Sequence, residues 1–132
     1  MFVQAAVVLS AFVASAVVAT SALAQAKPET LVKQRQAAMT LQGKYFYGQL
    51  RPVAQGKMPY DAAAVARNAG FLDALSRMPW DGFNPNTRDL KTSTLPAAYS
   101  DAAKFKEAQD RLIAETAKLV ALTKGSDEAA IK

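Results

Sequence analysis

The chain has 132 residues, of which 51% are hydrophobic and 20% charged, and its formal net charge is +5. This composition is typical of a globular domain and excludes a disordered or fibrous chain. The sequence holds no cysteine and no histidine, which excludes disulfides, Cys/His zinc sites and Ser-His-Asp triads within it. Its basic residues are scattered among eleven acids, which indicates a solvated surface and argues against nucleic-acid binding.

Residues 1–26 differ from the rest because they contain no charged side chain and end in small residues. This pattern predicts a signal peptide that is cleaved after Ala24 or Ala26. The stretch is also long enough to span a bilayer, so an uncleaved membrane anchor is the competing interpretation. With cleavage, we expect one exported domain formed by residues 27–132.

Three helical segments follow, and each shows apolar residues at helical spacing. The first is predicted over residues 28–49, the second over 61–78 with an Asp61 cap and Pro79 as its stop, and the third over 100–124. The residues expected to face the core are Leu31, Val32, Ala38, Met39, Tyr45, Phe46, Val65, Ala69, Leu72, Leu75, Phe105, Leu112, Ile113, Leu119 and Val120.

A loop of roughly twenty residues, from Pro79 to Tyr99, separates the second and third predicted helices; loops of this length in small domains are usually functional or cover part of the core. Trp80 and Phe83 near its start are predicted to plug one end of a helical bundle. Neither residue by itself indicates a ligand.

The last ten residues, TKGSDEAAIK, predict the start of another helix, with Ser126 as N-cap and two acids in the first turn. Three amphipathic helices and one further turn predict an all-α, antiparallel four-helix bundle whose fourth helix is largely missing. We therefore expect a C-terminally truncated sequence. The apolar stripes expected to be partly uncovered are those of Val65, Leu72, Phe105, Leu112 and Leu119.

The first helix carries the most informative local pattern, VKQRQAAMT, in which Arg35 and Met39 lie four residues apart on one face. Such an arginine is usually a snorkelling side chain or half of a salt bridge, and such a methionine usually fills the core. The alternative is that both line a pocket for a flat apolar ligand with carboxylates, the thioether facing a soft metal. No carboxylate pair or phosphate-binding loop supports a catalytic assignment, so we predict that the protein is not an enzyme.

From Lys27 to Lys132 the sequence resembles the class II c-type cytochromes, the cytochrome c′ family. The resemblance rests on KPETLVKQRQAAMTL, MPYDAAAVARNAGFLDALSRMPW, the FNPNT turn and YSDAAKFKEAQDRL. It implies a periplasmic four-helix bundle, commonly a homodimer, with one covalent haem c. The implied function is electron transfer with a redox partner protein or the binding of a small gas such as nitric oxide.

The resemblance also implies roles for single residues. Arg35 and Gln36 match residues that contact the haem propionates, and Thr87 matches a loop residue near them. Met39 occupies the distal position over the iron, where a methionine is either a steric wall or a possible ligand. Tyr99 stands where a tryptophan is common. Family members carry Cys-x-x-Cys-His on the fourth helix, and this sequence lacks all three of those residues.

The main hypothesis is therefore a cytochrome c′-type haem protein whose sequence is incomplete at the C-terminus, and there are two alternatives. One is a haem-free helical module that binds a partner helix in the groove left by the missing one. The other is a helical protein that is held at a membrane only through its uncleaved N-terminal segment.

Overall fold

The computed structural model describes residues 26–125 and 127–131. The predicted signal peptide lies outside these ranges except for Ala26, and so does Ser126, the predicted cap of a fourth helix. Every regular element in the described ranges is helical. None of these helices is long and apolar enough to cross a membrane.

The described residues form α-helices joined by short turns of other helical types. A π-helical segment, Phe46–Leu50, joins the first two helices, and two 3-10 turns, Trp80–Phe83 and Pro85–Thr87, follow the third. The α-helices are α1 (Pro28–Tyr45), α2 (Arg51–Ala54), α3 (Ala62–Leu75), α4 (Ala97–Ser100), α5 (Ala102–Thr123) and α6 (Glu128–Ile131). The prediction of an all-α fold is confirmed.

The first helical run continues beyond its predicted end and passes through Pro52. In the π-helical segment the Arg51 N–H donates to the Phe46 carbonyl, five residues back, and α2 then begins with Arg51 and Pro52. A proline ring inside a regular α-helix clashes with the carbonyl four residues earlier, and the wider π turn relieves that clash. The run ends near Gly56, whose φ of 68° suits a residue without a Cβ.

Helix α3 is the central element of the fold because it packs against both α1 and α5, which hardly contact each other. Its cap is the predicted one, since the Asp61 carboxylate accepts from the Ala64 N–H at 2.7 Å. It ends at Leu75 rather than Met78, because the N–H groups of Arg77 and Met78 bond three residues back and tighten the chain into a turn. All four of its predicted core residues are buried, namely Val65, Ala69, Leu72 and Leu75.

The expected uncovering of apolar stripes is confirmed for α5 and wrong for α3. Phe105, Leu112 and Leu119 are only half-buried, whereas Val65 and Leu72 are 3% and 5% exposed. The difference arises because residues 46–54, which sequence patterns did not place in a helix as a whole, pack over α3. Leu50 and Val53 from this run form one buried cluster with Val65 and Leu72.

Two residues predicted to lie in the core are instead exposed. Met39 is 36% exposed and Phe46 is 42% exposed. Both side chains line an open groove between α1 and α5, with Leu72 of α3 at its floor. The groove exists because α3 separates the two longer helices along their length.

Candidate functional site

The side chain of Arg35 is the most unusual feature of the described chain, because a guanidinium that is only 2% exposed lies inside a small domain. One terminal nitrogen, Nη1, donates to the Gly82 carbonyl at 2.5 Å, to the Tyr99 hydroxyl at 2.9 Å and to the Thr87 hydroxyl at 3.1 Å. The other, Nη2, donates to the hydroxyls of Thr92 at 3.2 Å and Thr94 at 3.0 Å.

All of the oxygens around this guanidinium belong to neutral groups. No carboxylate of the described residues forms an ion pair with Arg35; the ion pairs there are made by other cations and lie at the surface. Burying a charge is costly unless it is paired, and hydroxyl and carbonyl dipoles offset only part of that cost. The site therefore holds a fixed positive charge whose best additional partner is an anion.

The loop that follows α3 is held tightly against this arginine. The Phe83 ring lies 4.6 Å from the guanidinium carbon, in a cation–π contact, and also packs on Phe105 with ring centroids 4.8 Å apart. Gly82 approaches α1 so closely that a Cβ there would lie 2.5 Å from the Arg35 Cβ and 2.8 Å from the Leu31 carbonyl oxygen. Only glycine allows this approach, so the loop residues that bond Arg35 depend on it.

Trp80, predicted with Phe83 to plug the bundle end, has a specific polar contact as well. Its indole N–H donates to the Ser76 carbonyl at 2.7 Å, and its ring packs edge-on against Phe105 at 5.9 Å. The two aromatic residues thus fix the loop to both α3 and α5. The interpretation of the pair as plugs is compatible with these contacts, and Phe83 additionally touches the buried cation.

Met39 lies one helical turn after Arg35 and lines three adjoining hollows. The first, of about 500 Å³, extends toward the loop and the start of α5. The second, of about 520 Å³, is the groove between α1 and α5. The third, of about 460 Å³, contains Arg35, Gln36, Thr92 and Thr94. All three are lined by Met39 and therefore adjoin there, so we call them together the trough; its polar end is the third hollow, which Arg35 lines.

The structure brings three of the four sequence-predicted site residues to this trough. Arg35, Gln36 and Met39 line its polar end together, while Thr87 is fully buried behind Arg35 and bonded to it. Sequence reasoning missed the other oxygens around the guanidinium, those of Gly82, Thr92, Thr94 and Tyr99. A threonine-rich segment, KTST, was the only signal for two of them.

The far wall of the trough is positioned by a buried polar contact between α3 and α5. The hydroxyls of Ser76 and Thr116 lie 3.0 Å apart, and Thr116 also donates to the Asp73 carboxylate at 2.9 Å. Because hydroxyl pairs have one good register, they fix α5 against α3 more specifically than apolar packing does. On the opposite wall, the Gln42 amide donates to the Leu75 carbonyl at 2.8 Å and ties α1 to the end of α3.

These features define a class of protein: a helical bundle whose open trough suits a flat, largely apolar ligand with anionic groups at one edge. The family model described as Cytochrome C′ matches residues 30–132. The cytochrome c′ of Alcaligenes xylosoxydans xylosoxydans is 41% identical over 102 residues, 77% of this chain and 78% of that protein. The cytochrome c′ of Rubrivivax gelatinosus is 41% identical over 107 residues, 80% of this chain and 82% of that protein.

Solved structures agree with this likeness. The crystal structure of the Rubrivivax gelatinosus cytochrome c′ matches with a TM-score of 0.74 and 40% identity, over 80% of this chain and 82% of that one. The nitric oxide complex of an Alcaligenes xylosoxidans cytochrome c′ variant, in which glycine replaces a leucine, gives a TM-score of 0.71 and 40% identity, with the same coverage. The chain belongs to the cytochrome c′ family, and its fold is that of the family's four-helix bundle.

Cytochromes c′ bind haem c and either bind gases or transfer electrons. This chain therefore belongs to a haem-binding family. The described residues fit one side of such a group. Arg35 supplies a buried cation for carboxylates, and the trough around Met39 supplies an apolar surface. The covalent side does not fit, because the 132 residues include no cysteine for a thioether and no histidine for the iron.

Proposed function

We propose that the protein is a periplasmic electron carrier or gas-binding protein of the cytochrome c′ type, and that this chain supplies the distal wall and the carboxylate-binding edge of the haem site. The observation that carries the proposal is the buried guanidinium of Arg35. It lies at the polar end of an apolar trough and has no carboxylate partner within the described residues. A porphyrin with two propionates has the complementary distribution of charge.

Each predicted site residue has a role in this proposal. Arg35 attracts a propionate, and the Gln36 amide, which lines the same hollow, donates to it. Met39 would line the distal side, where its flexible thioether would either limit the space for a gas or ligate the iron weakly. Thr87 holds the guanidinium from behind. A bound haem would supply the redox and gas-binding chemistry, and none of the 132 residues is a cysteine or histidine that could attach it.

The test uses a haem c peptide, a short Cys-x-x-Cys-His peptide that already carries the covalent haem and its histidine ligand. We expect the purified chain to bind this peptide with a change in the Soret absorption. Arg35→Met should weaken binding about tenfold, because it removes a charge-assisted contact while keeping an apolar side chain of similar length.

Lys33→Met is the matched control, since Lys33 is an exposed cation on the same helix. It changes the net charge equally and should leave the dissociation constant unchanged. Equal weakening of binding by both substitutions would show that the change in net charge, and not the position of Arg35, accounts for the loss. Absence of any binding of the haem peptide to the unmodified chain would overturn the proposal.

The role of Met39 has a separate spectroscopic readout. In the complex with the haem peptide, a low-spin spectrum that becomes high-spin in Met39→Leu identifies the thioether as a ligand. A high-spin spectrum in both proteins identifies Met39 as a wall, and then Met39→Ala should speed carbon monoxide binding to the reduced complex. If neither the spectrum nor the rate of carbon monoxide binding changes when residue 39 is substituted, Met39 is not part of the site.

Export and self-association complete the proposal. The uncharged N-terminal stretch supports secretion with cleavage after Ala24 or Ala26, which N-terminal sequencing of secreted material tests. A homodimer is proposed by likeness to the family, and light scattering at several protein concentrations tests it. A mature protein that starts at Met1 would instead support membrane attachment through the uncleaved segment.

A second candidate function, a haem-free module that binds a partner helix, is favoured by the apolar groove itself. Leu112 and Leu119 of α5 remain half-buried beside it, and an amphipathic helix is a common occupant of such a groove. Binding measurements with a helical ligand and with the haem peptide distinguish the two functions. A helical ligand that binds as tightly in Arg35→Met as in the unmodified chain, with no binding of the haem peptide, would favour this second function.

A further inference from the structure

The Tyr99 hydroxyl holds a special position in the site, because it is the only phenol of the described chain bonded to the buried guanidinium. It comes from the short helix α4, 64 residues after Arg35, and accepts from Nη1 at 2.9 Å. The same hydroxyl lies 2.9 Å from the hydroxyl of Thr87. Tyr99 does not line the hollow that contains Gln36 and the two threonines on Nη2. It meets Arg35 at Nη1, whereas the two threonines of that hollow meet Nη2.

The number of available hydrogens assigns a direction to each of these bonds. The Thr87 hydroxyl has one hydrogen and two carbonyl oxygens within reach, that of Asn84 at 2.7 Å and that of Gly82 at 3.2 Å, and the shorter bond takes the hydrogen. Thr87 must then accept in its contact with Tyr99, so Tyr99 donates there. The Tyr99 oxygen keeps a lone pair for Arg35. The result is a one-way chain from Arg35 Nη1 through Tyr99 and Thr87 to the Asn84 carbonyl.

Nη1 has two hydrogens and three oxygens within reach, and Tyr99 is the second nearest after Gly82. The two hydrogens therefore go chiefly to Gly82 and Tyr99, and the Thr87 contact at 3.1 Å is the weaker one. A chain that begins on a cation polarises each following hydroxyl and strengthens it. Loss of the phenol would leave Nη1 with the Gly82 carbonyl and the weaker Thr87 contact, and would loosen the guanidinium at this end.

We infer that Tyr99 is a positioning residue, which acts through Arg35 to make the trough selective for ligands that carry carboxylates. This inference rests on the proposed function and adds to it the residue that fixes the cation's orientation. With Nη1 anchored on the side of Tyr99, the Nη2 end is fixed at the hollow, where its two hydrogens go to the hydroxyls of Thr92 and Thr94 and a carboxylate would compete with these neutral acceptors. A fixed cation recognises a carboxylate better than a rotating one because less order has to be imposed on binding.

The experiment compares two porphyrins that differ only in charge, zinc protoporphyrin IX and its dimethyl ester, by fluorescence titration of the full chain. The unmodified protein should prefer the dicarboxylate. Tyr99→Phe should reduce that preference by up to about tenfold, the limit reached if the whole contribution of a hydrogen bond to a charged group is transmitted to the ligand, while the affinity for the ester stays unchanged. Tyr60→Phe is the matched control, because Tyr60 is half-buried and its hydroxyl makes no hydrogen bond within the described residues.

The outcomes separate the inference from the proposed function. Equal affinity of the unmodified chain for both porphyrins, or binding of neither, would contradict the proposed role of Arg35. A clear preference that persists in Tyr99→Phe would overturn the role of Tyr99 alone. Equal weakening of both porphyrins in Tyr99→Phe would assign to Tyr99 a merely structural role and would also overturn the inference.

A second measurement uses the unmodified protein and so does not depend on how Tyr99→Phe folds. A guanidinium held at both ends rotates slowly, so the Nη protons of Arg35 should give separate nuclear magnetic resonance signals. The Tyr99 hydroxyl proton should be visible and close to Thr87. Averaged Nη signals, or a Tyr99 proton that exchanges as fast as that of Tyr47 on the surface, would contradict the chain of bonds.

Discussion

The substitution Gly82→Ala tests the close approach on which the Arg35 site depends. The added methyl group would lie 2.5 Å from the Arg35 Cβ and 2.8 Å from the Leu31 carbonyl oxygen. Contacts become ordinary only at about 3.4 Å, so the turn would have to retreat from α1 by up to about 0.9 Å. Neither contact is with the flexible end of a side chain, so α1 cannot yield easily.

The expected destabilisation has two parts. Overpacking of a well-packed site costs about 1 to 3 kcal/mol. Retreat of the turn also lengthens the bond from Arg35 to the Gly82 carbonyl, and a hydrogen bond to a charged group contributes about 1.5 to 3 kcal/mol. Because the turn can relax partly, we expect a total loss of about 2 to 4 kcal/mol in the free energy of unfolding. This is a large share of the stability of a small domain.

The assay is urea denaturation followed by circular dichroism, with Gly70→Ala as the matched control. Gly70 lies inside α3 and is exposed, and apart from its chain neighbours and the backbone of its own helix no atom lies within 4 Å of the position that a Cβ would take. The same substitution should there raise the free energy of unfolding by about 1 kcal/mol, because alanine favours the helix over glycine. A loss below about 0.5 kcal/mol in Gly82→Ala would refute the close approach, since overpacking costs more than that.

Two further predictions concern the framework of the site. Asp61→Ala should lower the free energy of unfolding by about 1 kcal/mol, because it removes the cap on the Ala64 N–H; Asp61→Asn, which still accepts, should lose much less in the same denaturation assay. Thr116→Val should cost about 1 to 2 kcal/mol by leaving the Ser76 hydroxyl with one partner fewer in a buried position. Thr116→Ser should restore most of that loss, and equal stability of the valine and serine variants would contradict a polar role for the α3–α5 contact.

The sequence predicted the helices well where the signals are local. The Asp61 cap starts α3 as expected and Asp101 caps α5 in the same way, since a carboxylate at an N-cap needs only the next three residues to act. The passage of the first helical run through Pro52 was not predictable in this way. It depends on a π turn, which is favoured because it lets Leu50 and Val53 reach the core. This is a tertiary effect.

The candidate site also has one part that local sequence signals predict and one part that depends on tertiary contacts. Arg35 and Met39 were predictable as a pair because four residues of helix bring them to one face. The neutral oxygens that surround the guanidinium come from residues 47 to 64 positions away, in the loop and the short helix α4 that follow α3, where the sequence has no periodicity. A pattern in the sequence can mark that loop as long and rich in threonine, but it cannot say which hydroxyl meets which nitrogen.

The two ends of the trough also determine how a flat ligand with carboxylates would lie in it under the proposed function. Carboxylates at the Arg35 end meet a buried cation, and the apolar body then extends past Met39. In the reverse orientation the carboxylates would meet Leu112, Leu119 and the carboxylate of Glu115, which line the other end. An unpaired charge on an apolar surface costs several kcal/mol, and a like charge adds to the cost. The side chains of the trough therefore favour one orientation without any covalent link to the ligand.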